Sequence, residues 1–311
     1  MRILFWGTPN FAVPSLLALS EEGHDIVGVV TQPDRPAGRG RQIRTSAVKS
    51  FAQELGMTLF EPESPNEDTF LDKISNVKAD ISVVVAYGQI LRREVLDIPS
   101  LGSINLHASL LPALRGAAPI TWSIVHGDTV TGVTVIRMVE KMDAGPIIFQ
   151  TKESIDPLEN ASKLTERLSK LGATALVEVL KLFDAGAIKE VEQDGSAATY
   201  APKLNRETAR INWAVSCSDL VNLIRGMDGI PGAWSKLGSS TVKLFLPKAE
   251  TYVESQEAPG TVVEADPIMG LLVATATGVV RIGEVQPEGK KRMTASEWIM
   301  GRGVSIGQRF E

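Results

Sequence analysis

Residues 102–120, GSINLHASLLPALRGAAPI, decide how this 311-residue chain is read. Ile104 and Leu106 alternate with Asn105 and His107 at the period of two that marks a β-strand, so the two polar side chains share one face. The chain then leaves the strand through Leu111-Pro112, and RGAAPI leads into a helix whose first turn suits the fixed φ of Pro119. An amide and an imidazole two residues apart, where a strand runs out into a loop, stand where open α/β sheets bind ligands. As a bare pair they are equally the polar residues that satisfy any loop backbone.

Working outward, the apolar run RILFW, Arg2 to Trp6, ends at Gly7 and is followed by a helix, which opens a doubly wound fold. Its turn reads GTPNFA rather than G-x-G-x-x-G, and no acid closes the second strand, DIVGVVT, at Thr31. A nicotinamide-dependent oxidoreductase is therefore poorly supported. DISVVVAYG, Asp80 to Gly88, reads as a buried parallel strand leaving through Ala86, Tyr87 and Gly88, next to the Asn105–His107 strand. GVTVIRM, Gly132 to Met138, alternates as a strand, and Asp143 falls in the turn of EKMDAGPII. A helix from about Leu158 to Phe183 carries an apolar core stripe at Leu164, Leu168, Leu171, Ala175, Val179 and Leu182.

The polar stretch 190–205 reads as a linker between a catalytic domain, 1–189, and a C-terminal domain, 206–311. Beyond Gly232 come short strands separated by turns, the pattern of a small barrel, with caps expected at Ser216 and Thr294. The fold class is thus α/β: a Rossmann-like, mostly parallel sheet followed by an OB-like barrel.

Composition narrows the class. Hydrophobic residues make up 43% of the chain, yet no apolar run reaches the ~20 residues that span a bilayer. The chain opens directly on a core strand, with no signal-peptide pattern, and its one cysteine, Cys217, excludes an internal disulfide and a cysteine-built zinc site. A cytoplasmic protein without metal is expected. A net charge of −5 disfavours nucleic acid, but Asp34 to Lys49 concentrates Arg35, Arg39, Arg41, Arg44 and Lys49 against one acid. Pro33, Pro36, Gly38 and Gly40 argue against regular structure there, so the segment reads as a mobile basic loop at the end of the second strand. Lys290, Lys291 and Arg292 form a second basic cluster, readable as a phosphate contact or as a solvated face.

The full strings RILFWGTPNFA, TQPDRPAGRG, VVVAYG, INLHASLLP, RGAAPI, MDAGPI and YAPKL cover nearly the whole chain. Together they resemble the methionyl-tRNA formyltransferases, a branch of the formyltransferases that use 10-formyltetrahydrofolate. The resemblance implies Asn105, His107 and Asp143 as catalytic residues. It implies Ser109, Leu110, Leu111 and Pro112 as contacts to tetrahydrofolate, with Ala86, Tyr87 and Gly88 read as the facing wall. The arginines at 35, 39, 41 and 44 become candidates for gripping the acceptor end of an initiator methionyl-tRNA, by a chain expected to act as a monomer. Two stretches depart from the family pattern: Ala113-Leu114 stands where a basic and an aromatic residue are frequent, and Asp228-Gly229-Ile230 where Asn-Pro-Trp is frequent. A formyltransferase for amino-sugar or glycinamide nucleotides, and a non-catalytic RNA-binding relative, remain as alternatives.

Overall fold

The computed structural model describes residues 1–37, 42–250 and 256–311, which divide into two compact units. The first holds Met1–Gly116, Thr131–Glu153 and Thr165–Tyr200; the second holds Ala117–Val130, Ser154–Leu164 and Ala201–Glu311.

The first unit is built on a seven-stranded sheet. From one edge its strands run Ile147–Ser154, Val130–Arg137, Ser103–His107, Ile81–Val85, Arg2–Gly7, Asp25–Val30 and Leu59–Phe60. The last five are mutually parallel, so they end at one edge of the sheet, while Val130–Arg137 runs antiparallel to Ser103–His107. Ile81–Val85 is buried at every position, as its unbroken Val/Ile run requires of a central parallel strand. Leu106 faces the helix Ala161–Asp184 so closely that a Cβ on Gly172 would fall 2.4 Å from its Cδ2. That helix therefore covers one face of the Ser103–His107 strand, and Asn105 and His107 belong to the other. The expected stripe is core: Leu164, Leu168, Ala175 and Val179 are all buried.

One expectation about this unit is corrected. Arg35–Ala37 and Gln42–Arg44 are not irregular but pair as a two-stranded antiparallel ladder, Arg35 opposite Arg44. Proline is compatible with such a ladder because both of its strands are edges. Gly38 to Arg41 lie outside the described residues. The helix Ala47–Glu54 follows, with Ser46 Oγ accepting the Lys49 N–H at 3.0 Å.

The second unit is organised on an antiparallel sheet in the order Trp234–Leu237, Ser240–Glu250, Gly278–Pro287, Gly270–Thr275 and Val262–Asp266. The C-terminal residues bridge its two edges. Val262 N–H donates to the Gln308 carbonyl (2.8 Å), Phe310 N–H to that of Gly260 (2.9 Å), and Glu311 N–H to that of Lys236 (2.9 Å). Unpaired edges are thereby satisfied, which is what closure into a barrel achieves. Phe310 stacks on Trp213 with ring centroids 5.3 Å apart. The caps form as expected: Ser216 opens Cys217–Gly226, and Thr294 with Glu297 makes a reciprocal box at Ala295–Met300.

Pro119–Val125, opened by its proline, belongs to this unit and packs against Cys217–Gly226, where only a glycine at 226 leaves room for Val125. Asp228, in the departing stretch, is buried and receives Arg292 Nη1 at 2.8 Å and Asn160 Nδ2 at 2.6 Å. Arg292 also pairs with Glu284 and lies over the Phe245 ring, 3.8 Å from its centroid. It is thus committed to internal partners rather than offered to phosphate.

Candidate active site

Asn105 and His107 sit on the central Ser103–His107 strand, in register with Val84 and Thr134 of its two neighbours. Backbone pairing on both sides fixes the direction of each side chain. Asn105 is partly exposed, and its carboxamide has no hydrogen-bond partner among the described residues. His107 is buried, and its Nε2 lies 2.9 Å from the carbonyl oxygen of Leu114. A carbonyl only accepts, so Nε2 carries the proton and the backbone of Leu114 sets the tautomer. The other ring nitrogen, Nδ1, faces Asp143 Oδ2 at 3.7 Å.

Asp143 occupies the turn read from the sequence, with a left-handed φ of 52°. Its Oδ2 accepts the Gly116 N–H at 2.8 Å. The three polar residues are therefore assembled in the first unit at the sheet edge where parallel strands end. An amide without a partner among the described residues stands on one strand with an imidazole, and a carboxylate stands near the imidazole's other nitrogen. Such a set can hold a developing oxyanion and move a proton.

The segment after the strand is a stiff turn. Ser109 Oγ donates to the Ala113 carbonyl at 2.6 Å, so its hydroxyl is taken up internally. Thr134, fully buried, donates to the Ser109 carbonyl (2.6 Å) and accepts from the Leu111 N–H (3.1 Å) and Gln150 Nε2 (2.9 Å). Gln150 also reaches the Leu111 carbonyl at 3.0 Å. Leu111 is buried, whereas Leu110 and Pro112 are half-buried and present apolar surface. Across the neighbouring strand end, Ala86 and Gly88 are exposed, with left-handed φ values of 49° and 95°. Among the described residues nothing lies within 4 Å of a Cβ built at Gly88, which leaves that backbone open to a flat ligand.

Tyr87 differs from its place in the expected wall. Its ring is buried against Trp6, with centroids 5.1 Å apart, and only its carbonyl is engaged outward, by Thr8 Oγ1 at 2.8 Å. Of the basic set, Arg35 is exposed with its guanidinium 4.0 Å from the Glu63 carboxylate. Arg44 lies on the second strand of the short ladder, and Arg39 and Arg41 lie outside the described residues. Thr134, Gln150 and Gln193 stand outside the strings that mark the family, and Arg115 lies in one of them without a role that the string reveals. Each is an ordinary polar residue in an ordinary strand or loop, and no spacing marks it.

Residues 1–180 match the family described as formyl transferase, and residues 203–303 match the formyl transferase C-terminal domain. The class is thereby defined. The chain is 44% identical to a methionyl-tRNA formyltransferase of Thermodesulfovibrio yellowstonii, over 98% of this chain and 97% of that one. It is 38% identical to one of Fusobacterium nucleatum over the full length of both. The chain belongs to the methionyl-tRNA formyltransferase family. Among solved structures, HypX from Aquifex aeolicus in complex with tetrahydrofolic acid matches with a TM-score of 0.69 at 18% identity, over 99% of this chain and 50% of HypX. A methionyl-tRNA formyltransferase from Clostridium thermocellum matches with a TM-score of 0.59 at 16% identity, over 81% of this chain and 95% of that one. At these identities the structures bear on the fold alone. No helix among the described residues is long and apolar enough to cross a membrane.

Proposed function

We propose that this chain transfers the formyl group of 10-formyltetrahydrofolate to the α-amine of methionyl initiator tRNA, acting as a cytoplasmic monomer without metal. The observation that carries the reading is the Asn105 carboxamide, unpartnered among the described residues, beside the His107–Asp143 pair, in a chain whose full-length relatives are methionyl-tRNA formyltransferases. The amine nitrogen attacks the formyl carbon, forming the new C–N bond and placing negative charge on the formyl oxygen. Asn105 Nδ2 donates to that oxygen, a role worth roughly 10²–10³ in rate.

The proton lost by the amine is taken by the His107 Nδ1 and Asp143 Oδ2 side of the site, and it leaves with the folate nitrogen as the old C–N bond breaks. Because Nε2–H is committed to Leu114, Nδ1 is the basic nitrogen available for this step. Leu110 and Pro112, which flank the Leu111 backbone held by Thr134 and Gln150, pack against the folate ring system, with the exposed backbone at Ala86 and Gly88 on the neighbouring strand end. Arg35, Arg39, Arg41 and Arg44 contact tRNA phosphates.

The test is an acceptor competition. The purified chain is incubated with 10-formyltetrahydrofolate and, in separate reactions, methionyl initiator tRNA, an amino-sugar nucleotide or glycinamide ribonucleotide. Formylated methionyl-tRNA is expected; turnover only with a small amine overturns the reading.

A further inference from the structure

Asp143 is held from a part of the chain fifty residues away. The Gln193 side chain donates both hydrogens of its Nε2, one to the Asp143 carbonyl at 2.8 Å and one to the Gly145 carbonyl at 2.7 Å. Its Oε1 accepts twice from the buried Arg115 guanidinium, from Nε at 3.1 Å and Nη2 at 2.7 Å. Every donor and acceptor position of the carboxamide is thus filled. Arg115 precedes Gly116, whose N–H binds the Asp143 carboxylate at 2.8 Å. The result is a closed ring in which the backbone of Asp143 is gripped by Gln193 and its carboxylate by Gly116, with Arg115 joining the two.

The turn has reasons to need this grip. Asp143 holds a left-handed φ of 52°, a conformation that costs a non-glycine residue free energy. A Cβ at Gly145 would fall 1.9 Å from the Arg137 carbonyl oxygen, so the turn lies hard against the neighbouring strand. Gln193 is itself anchored on both sides. Val191 and Ile147 exchange backbone bonds of 2.9 and 2.8 Å, and Thr199 accepts the Leu114 N–H on Oγ1 and the Arg115 N–H on its carbonyl, each at 2.9 Å.

We infer that Gln193, clamped by Arg115, is a positioning residue that sets Asp143 relative to His107 for proton transfer. The inference rests on the proposed role of Asp143. It makes glutamine specific: a glutamate would still satisfy Arg115, more strongly by charge, but would turn carboxylate oxygens onto two carbonyls.

The test compares Gln193→Ala and Gln193→Glu in the full chain, each alone and combined with Asp143→Asn. Expected is a fall in kcat on the order of 10- to 100-fold for both single variants, with KM for both substrates within about twofold. In the Asp143→Asn background the same changes should cost less than about twofold, because nothing remains to position. If Gln193→Glu restores full kcat, Gln193 merely supports Arg115 and the inference fails. It also fails if the loss is as large without the Asp143 carboxylate. Should Gln193→Ala melt below assay temperature, Gln193→Glu alone carries the comparison. A wild-type kcat in Asp143→Asn removes Asp143 from the mechanism and the inference with it, and no formyl transfer by the unaltered chain overturns the functional reading itself.

Discussion

His107 donates a hydrogen bond from Nε2–H to the carbonyl oxygen of Leu114, 2.9 Å away and seven residues on, while Leu114 holds a left-handed φ of 58°. The imidazole is thus oriented by the loop that its own strand becomes. A strand and its exit loop, folding back on each other, leave one ring nitrogen fixed and the other directed toward Asp143. Leu114 belongs to the Ala113-Leu114 stretch that reads, from the sequence, as a departure from the family pattern. It is buried, and only its backbone enters the site.

The proposed catalytic roles of Asn105, His107 and Asp143 should separate from the fold. Asn105→Ala lowers kcat by about 10²–10³, the cost of one oxyanion donor. His107→Ala and Asp143→Ala lower it by at least about 10². Circular dichroism and melting temperature of Asn105→Ala should stay near those of the parent, since its amide has no hydrogen-bond partner to lose among the described residues. Any of the three that turns over at a near-normal rate has no place in the scheme.

The folate turn can be probed at two levels. Leu110→Asp puts a charge on the apolar surface that the turn presents, and folate binding followed by fluorescence quenching should vanish. Thr134→Val keeps the shape but removes the acceptor of the Leu111 N–H, one of the two acceptors of Gln150 and the donor to the Ser109 carbonyl, so stability should fall by about 1–3 kcal/mol. KM for the folate should rise in the same variant while KM for tRNA does not. Unchanged folate affinity in both variants places the slot elsewhere.

Neutralising Arg39 and Arg41 together tests the basic segment. KM for methionyl-tRNA should rise, and the slope of log affinity against log salt should shrink by about 1–2, in line with two lost phosphate contacts. KM for the folate should not move. If tRNA kinetics and salt slope are both unaltered, the arginines face solvent only and a small-amine acceptor gains support.

Tyr87 makes an alkaline prediction. Burial pushes its phenol up to about 12 from an ordinary value of 10.0, and its hydroxyl is buried with no partner among the described residues. Above the unfolded value the denatured chain gives up a proton that the folded chain retains, so stability falls as pH rises from 10 toward 12. The slope is at most about 1.4 kcal/mol per pH unit. Tyr87→Phe removes that part of the alkaline loss and, by deleting an unsatisfied buried hydroxyl, raises stability at pH 8 by about 1 kcal/mol. Urea titrations of both proteins across this range measure the difference; identical slopes would mean Tyr87 does not contribute.

Much of the molecule is legible residue by residue. Alternation at Ile104–His107, the unbroken apolar run of Ile81–Val85 and the caps at Ser216 and Thr294 are local effects acting within a few residues. So is the turn that carries Asp143. The sequence by itself therefore determined the order of elements, the mostly parallel sheet and the strings that mark the family. Tertiary structure decided what those strings do not contain. It made a ladder of Arg35–Ala37 and Gln42–Arg44, drew Pro119–Val125 into the second unit, and brought the last residues of the chain to close its barrel. It turned Tyr87 into the core, paired Asp228 with Arg292, and carried Thr134, Gln150 and Gln193 to the site. The physical reason is common to all of these. Propensity and periodicity are set by near neighbours, whereas a hydrogen bond between elements fifty residues apart depends on strand order and register, which only the packing of the whole unit fixes.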